Sequence, residues 1–203
     1  MKTNFFLRRT LVPVAVAVAA LVFAMSCNSN NTSSSTPSGP GPDIAVAQFP
    51  TSATGGDPRG TWYPNTPLMN VSASNLSSGV TIVPTFTRNT GSGSIVYTGS
   101  TPASGTFSTN NLTASLVGNT AISVLGQTSN IPIMESTVGV LAGSGTWTVS
   151  GSNLILSSGG AKPDTVAFTA NSQGLFFVSR QDVGASSGGV FTGVLTVALA
   201  LKK

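Results

Sequence analysis

The sequence predicts an all-β fold, and three observations carry that prediction. Charged residues make up only 7% of the 203-residue chain, against about a quarter in an ordinary globular protein. Gly, Ser, Thr and Asn supply the polarity instead, a composition that suits many tight turns and disfavours long helices. Short apolar runs recur with these residues or Pro between them, as successive strands do. The expected architecture is an antiparallel up-and-down barrel, with a β-sandwich as the alternative.

Taken in order, the chain begins with a delivery segment. Lys2, Arg8 and Arg9 form a basic start, and Thr10 to Ala24 is an apolar run interrupted by Pro13. The run is shorter than the about 20 residues that span a bilayer comfortably, and it fits the core of a secretory signal peptide. Ala24-Met25-Ser26-Cys27 follows and resembles the lipobox of bacterial lipoproteins. The resemblance implies that residues 1–26 are removed. Cys27 then becomes an N-terminus carrying a diacylglycerol thioether and an amide-linked acyl chain such as palmitate. Each buried methylene contributes about 0.8 kcal/mol, and stable anchoring takes about two chains or signals. Cys27 is the only cysteine in the chain, and lipidation accounts for a thiol that a secreted protein would otherwise leave unpaired. The expected partner is therefore a membrane, reached through the lipid on Cys27. Asn28, rather than Asp, follows the cysteine. By resemblance to enteric lipoproteins this implies a bacterial cell envelope location at the outer membrane, on a face the sequence does not specify.

Composition excludes several function classes. Three of the nine basic residues lie in the leader, which leaves six basic against five acidic residues and a net charge of +1. No basic patch for nucleic acid remains. There is no histidine, the commonest general base and metal ligand. Asp43, Asp57, Glu135, Asp164 and Asp182 are dispersed, with no spacing that suggests a paired-carboxylate site. The expectation is no enzymatic activity, no catalytic residues, no cofactor and no metal.

Residues 27–43 hold the lipidated cysteine and a polar stretch rich in Ser, Asn, Pro and Gly. Such a stretch cannot bury enough apolar surface to offset its ordering entropy, so it reads as a flexible tether. Residues 44–203 read as a single all-β domain. Ile44 to Pro50 is a candidate first edge strand. Gly60-Thr61-Trp62 opens the definite part. Strand candidates follow at Val71–Ala73, Val80–Thr87, Ser94–Thr98, Gly105–Thr109, Leu112–Val117 and Ala121–Leu125. Pro84 marks its segment as an edge strand or a bulge. Ile131 to Leu141 is ambiguous. Its apolar spacing suits a short helix, whereas Pro132, Val138, Gly139 and Val140 favour strand or loop.

The clearest local prediction is a hairpin. Gly151-Ser152 suits a type II′ turn with glycine first, a register that pairs Val149 with Leu154, Thr148 with Ile155 and Trp147 with Leu156. Alternation then puts Trp147, Val149, Leu154 and Leu156 on one face. Thr165–Ala170 and Gly174–Arg180 form the next pair, with Phe168 and one of Phe176 or Phe177 in the core. Val190 to Leu201 is the last strand, with Phe191, Leu195, Val197, Leu199 and Leu201 at alternating positions.

Gly145-Thr146-Trp147 repeats the earlier Gly-x-Trp, and Asn153-Leu154-Ile155-Leu156 follows it. Together, over residues 143–180 and 60–63, these resemble lipocalin-like domains of bacterial lipoproteins. In those domains a Trp plugs the closed end of a β-barrel and an arginine can cover it by a cation–π contact. Arg180 is a candidate for that arginine, its alternative being a solvated strand end. A barrel of about eight strands holds one small ligand, and the resemblance makes Trp62, Trp147, Phe168 and Phe177 the candidate ligand-binding residues. No charged residue belongs obviously inside, which favours an apolar or amphipathic ligand over an anion. The alternative is a structural or interaction lipoprotein of the envelope, with a filled β-core and no pocket. An outer-membrane barrel is disfavoured, because only Val190 to Leu201 approaches the length of the repeated strands such barrels need.

Overall fold

The computed structural model describes residues 40–141, 143–158, 163–183 and 192–203. The segment read as a signal peptide, Cys27, most of the stretch read as a tether, and Phe191 lie outside the described residues. Those described are nearly all β. The strands are β1 (Gly55–Gly56), β2 (Gly60–Ser74), β3 (Val80–Thr101), β4 (Ser104–Val124), β5 (Gln127–Leu141), β6 (Ser144–Ser150), β7 (Asn153–Ser157), β8 (Asp164–Ala170), β9 (Leu175–Val183) and β10 (Gly193–Lys202). Among the described residues, no helix is long and apolar enough to cross a membrane.

Hydrogen bonding closes the strands into a ring that runs β2, β3, β4, β6, β7, β8, β9, β10 and back to β2. Every link in this ring is antiparallel, and β1 alone pairs in parallel, with β8. β5 and β6 lie end to end along one edge of β4. β5 pairs Leu112 to Val124, and β6 pairs Ser104 to Ser108. Thr109 bridges the break between them. Its backbone N–H donates to Gly143 O at 2.8 Å, and its Oγ1 accepts the Gly143 N–H at 2.7 Å.

Two strands change partners part-way and so turn the ring. β2 pairs β3 through Gly60 to Trp62 and β10 from Tyr63 onward. β8 pairs β7 from Asp164 to Ala167 and β9 from Phe168 to Ala170. Where β2 leaves β3, the Asn89 side chain replaces the missing ladder. Asn89 Oδ1 accepts the Met69 N–H at 2.8 Å, and its Nδ2 donates to Met69 O at 2.6 Å. Gly91 admits the Pro64 ring close by, because a Cβ there would stand 2.7 Å from Pro64 Cβ.

The expected strands are fewer and longer than the sequence suggested. Val80–Thr87 and Ser94–Thr98 belong to one strand of 22 residues. Gly105–Thr109, Leu112–Val117 and most of Ala121–Leu125 belong to one of 21 residues. The Gly, Ser and Asn residues between them form bulges rather than turns. The β3–β4 register shifts between Phe86 and Arg88 and between Ser92 and Ser94, and Asn111 takes a left-handed φ of 47°. A bulge inserts a residue and adds twist without ending the strand. Leu125 is not strand. With Gly126 it makes the β4–β5 turn, both at positive φ, and it is 81% exposed. Among the described residues Pro84 sits on an edge: β3 from Val80 to Gly91 pairs only β4 there. The ambiguous Ile131–Leu141 segment is strand, the greater part of β5.

The hairpin forms in the expected register, Trp147 opposite Leu156 and Ser150 opposite Asn153, with Gly151 at φ 59°. Trp147 and Leu154 are buried and Thr148 is exposed, while Val149 and Leu156 pack at the margin of the core. β10 and the first part of β9, Leu175 to Val178, are buried on both faces. Phe177 points into the main core, and Phe176 joins Val178, Ala198 and Ala200 in a second cluster on the other face.

Ile44 and Phe49 cover that second cluster, Phe49 meeting Phe176 edge-on at 5.7 Å. The segment is therefore not an edge strand. It is a strap with a single turn of 3₁₀-helix, Val46–Gln48. The Asn65 side chain holds it, accepting the Ile44 N–H at 2.6 Å and donating to Ile44 O at 2.9 Å. Contacts begin within the stretch read as tether. Gly41 N–H donates to Lys203 O, and Asp43 pairs with Lys202 at 2.6 Å.

Candidate functional site

The four candidate residues converge. Trp62, Trp147, Phe168 and Phe177 are exposed by only 1%, 1%, 0% and 2%, and all belong to one apolar cluster inside the ring. Each arrives from a different strand. Trp62 is the third residue of β2, opposite Ile95 on β3. Trp147 stands mid-way along β6, opposite Gly105. Phe168 and Phe177 face each other across β8 and β9, with Phe168 N–H bound to Ser152 O of the hairpin turn.

A buried indole N–H requires an acceptor, and the two tryptophans find different ones. Trp62 Nε1 donates to Pro58 O at 2.7 Å. Trp147 Nε1 is shared between Thr106 O at 3.0 Å and Thr98 O at 3.2 Å. Lys203 Nζ lies 5.0 Å from the Trp62 ring centroid, so the cation that covers this tryptophan is the C-terminal lysine. Arg180 is an exposed residue of β9 and plays no such part.

Tyr97, which the sequence reading did not single out, completes the interior. It is 1% exposed, its ring meets Trp147 edge-on at 6.1 Å, and Phe107 lies at the same distance. Burial pushes its phenol well above the usual acidity range, so it is neutral at any physiological pH. Among the described residues no charged side chain is buried, and the buried polar ones are Asn65 and four hydroxyl residues.

Charges gather instead at the Trp62 end. The hydrogen bond from Lys202 holds the Asp43 carboxyl below its ordinary value, helped by the Thr66 N–H at 3.0 Å. The Arg59 guanidinium does the same for Asp57, through contacts of 2.6 to 3.1 Å. Among the described residues no group of three or more His, Cys, Asp or Glu side chains could hold a metal ion.

Comparison with protein-family models, curated proteins and solved structures finds no match to this chain.

Proposed function

We propose that the chain is a bacterial envelope lipoprotein, anchored through acylated Cys27, whose β-domain takes one small apolar or amphipathic ligand inside a lipocalin-like barrel. The observation that carries this reading is the convergence of Trp62, Trp147, Phe168 and Phe177 in one apolar cluster within a closed ring of strands. Antiparallel rings of about eight strands are of the size that admits one small ligand. The absence of buried charge among the described residues favours a neutral guest. Leader, lipobox-like residues and tether support the anchor.

Two experiments test the two halves. Cys27→Ser should remove the lipid increment from the intact mass and release the protein from the membrane fraction; unchanged mass and membrane retention overturn the anchor. N-phenyl-1-naphthylamine, a neutral fluorescent probe, should bind saturably at one site per chain and lose affinity when Phe177 is changed to Ala. Absence of saturable binding overturns the binding module.

One observation favours the alternative, a structural or interaction lipoprotein with a filled core. Both indole N–H groups are already spent on backbone carbonyls, as they are in tryptophans that serve packing alone.

A further inference from the structure

Among the described residues, three buried side-chain atoms have no hydrogen-bond partner: Tyr63 Oη, Tyr97 Oη and Gln181 Oε1. Tyr63 and Gln181 belong to residues that are themselves partly exposed. Tyr97 is different, because the whole residue is 1% exposed and it lies within the main apolar cluster. Buried hydroxyls are nearly always paired, and an unpaired one forfeits a bond that water would give it. The orphaned phenol therefore points to a partner that enters from outside the chain.

The surroundings restrict what that partner is. A buried water makes about 2–4 hydrogen bonds, but the rings against Tyr97 are Trp147 and Phe107. Phe107 has no polar atom, and the Trp147 N–H is committed to Thr98 O and Thr106 O. Neither ring offers a second hydrogen bond to a water held by the phenol. An anion would find no buried cation among the described residues. A molecule with one oxygen and an apolar body satisfies both the phenol and the rings.

We propose that Tyr97 Oη is the polar contact of the interior site, donating a hydrogen bond to the single oxygen of a neutral amphipathic guest whose body packs on Trp147 and Phe107. The proposal rests on the interior-binding reading above and names the ligand chemistry of that same site. No bond is made or broken; the phenol keeps its proton.

The test compares two guests of nearly equal shape, cyclohexanone and methylenecyclohexane, with the full lipidated chain in nanodiscs and free guest concentrations measured. The ketone should change tryptophan emission saturably and bind about tenfold tighter than the hydrocarbon, the order of one hydrogen bond. Tyr97→Phe should abolish that preference. The infrared C=O band of bound ketone should also shift to lower wavenumber in the wild-type protein, a reading that stands even if the variant folds poorly. Equal binding of both guests, or an unshifted carbonyl band, overturns the role of Tyr97 and leaves interior binding intact. Binding of neither guest overturns both.

Discussion

The same tripeptide, Gly-x-Trp, occurs at Gly60–Trp62 and at Gly145–Trp147, and the fold uses it in two unlike places. Both indoles are buried to 1% and both belong to the main core. Trp62 sits at the charged end of the ring, where β2 departs from β3, with Pro58 O on its N–H and Lys203 above its ring. Trp147 sits within a regular hairpin, its N–H on two strand carbonyls and its ring against Tyr97. The motif therefore specifies a strand with an inward tryptophan. The partner of the N–H, and the charge nearby, are set by whatever the chain brings from elsewhere.

The largest effect should come from removing either indole. Trp147→Ala should cost about 3–5 kcal/mol, typical of large aromatic truncations in a core, and so should Trp62→Ala. That is a large share of the about 5–15 kcal/mol available to a domain. Denaturant melts would show both variants strongly destabilised; a tolerant Trp147 would break the equivalence in burial on which the comparison stands. Next, Asn65→Ala should cost about 1–3 kcal/mol, because it strands the buried N–H and C=O of Ile44. It should also speed amide exchange in the strap without disturbing the Trp147 hairpin.

Lys203→Ala sharpens the contrast at a smaller scale. An exposed cation–π contact is worth about 0.5–1 kcal/mol, so the change should perturb emission from Trp62 and leave Trp147 untouched. Acid should separate the two regions as well. The folded carboxyls of Asp43 and Asp57 lie below their ordinary value of 3.8. Their stabilisation is therefore complete above that value and is lost as pH falls through the lower, folded values. Emission from Trp62, isolated in a Trp147→Phe variant, should respond below pH 3.8 before that of Trp147 isolated in Trp62→Phe. The smallest effect belongs to Thr148→Ala, on the exposed face beside Trp147, which should stay within about 0.5 kcal/mol.

The hairpin was legible in the sequence because local chemistry and pattern agree there. Glycine at Gly151 suits the left-handed first position of the turn, and the alternation on either side then fixes the face. The long strands were not legible, since Gly, Ser and Asn mark bulges and turns alike, and only pairing across strands distinguishes them. The strap was hidden for another reason. Ile44 and Phe49 are apolar at a spacing that fits no periodic element, and their burial depends on the distant β9 and β10. Asn65 and Asn89 look like ordinary surface amides until the backbone groups they serve are brought beside them. The strand pattern left Phe176 and Phe177 as alternatives, and the structure buries both, on opposite faces. Of the interior, Trp147 and Phe168 could be named from that pattern, and Trp62 from the Gly-x-Trp resemblance. Tyr97 could not, because its distinction is a missing partner, and a missing partner is visible only once the surroundings are in place.

The most direct measurement is nuclear magnetic resonance of the two indole N–H protons in ¹⁵N-labelled protein, recorded as cyclohexanone is added. Both protons should exchange slowly with solvent, since both are buried and bonded to backbone carbonyls. On titration the Trp147 signal should move saturably, because Tyr97 lies against it. Movement of Trp62 alone would contradict a guest seated against Trp147. Two protected signals that never move would mean that the ring is a filled core and takes no guest.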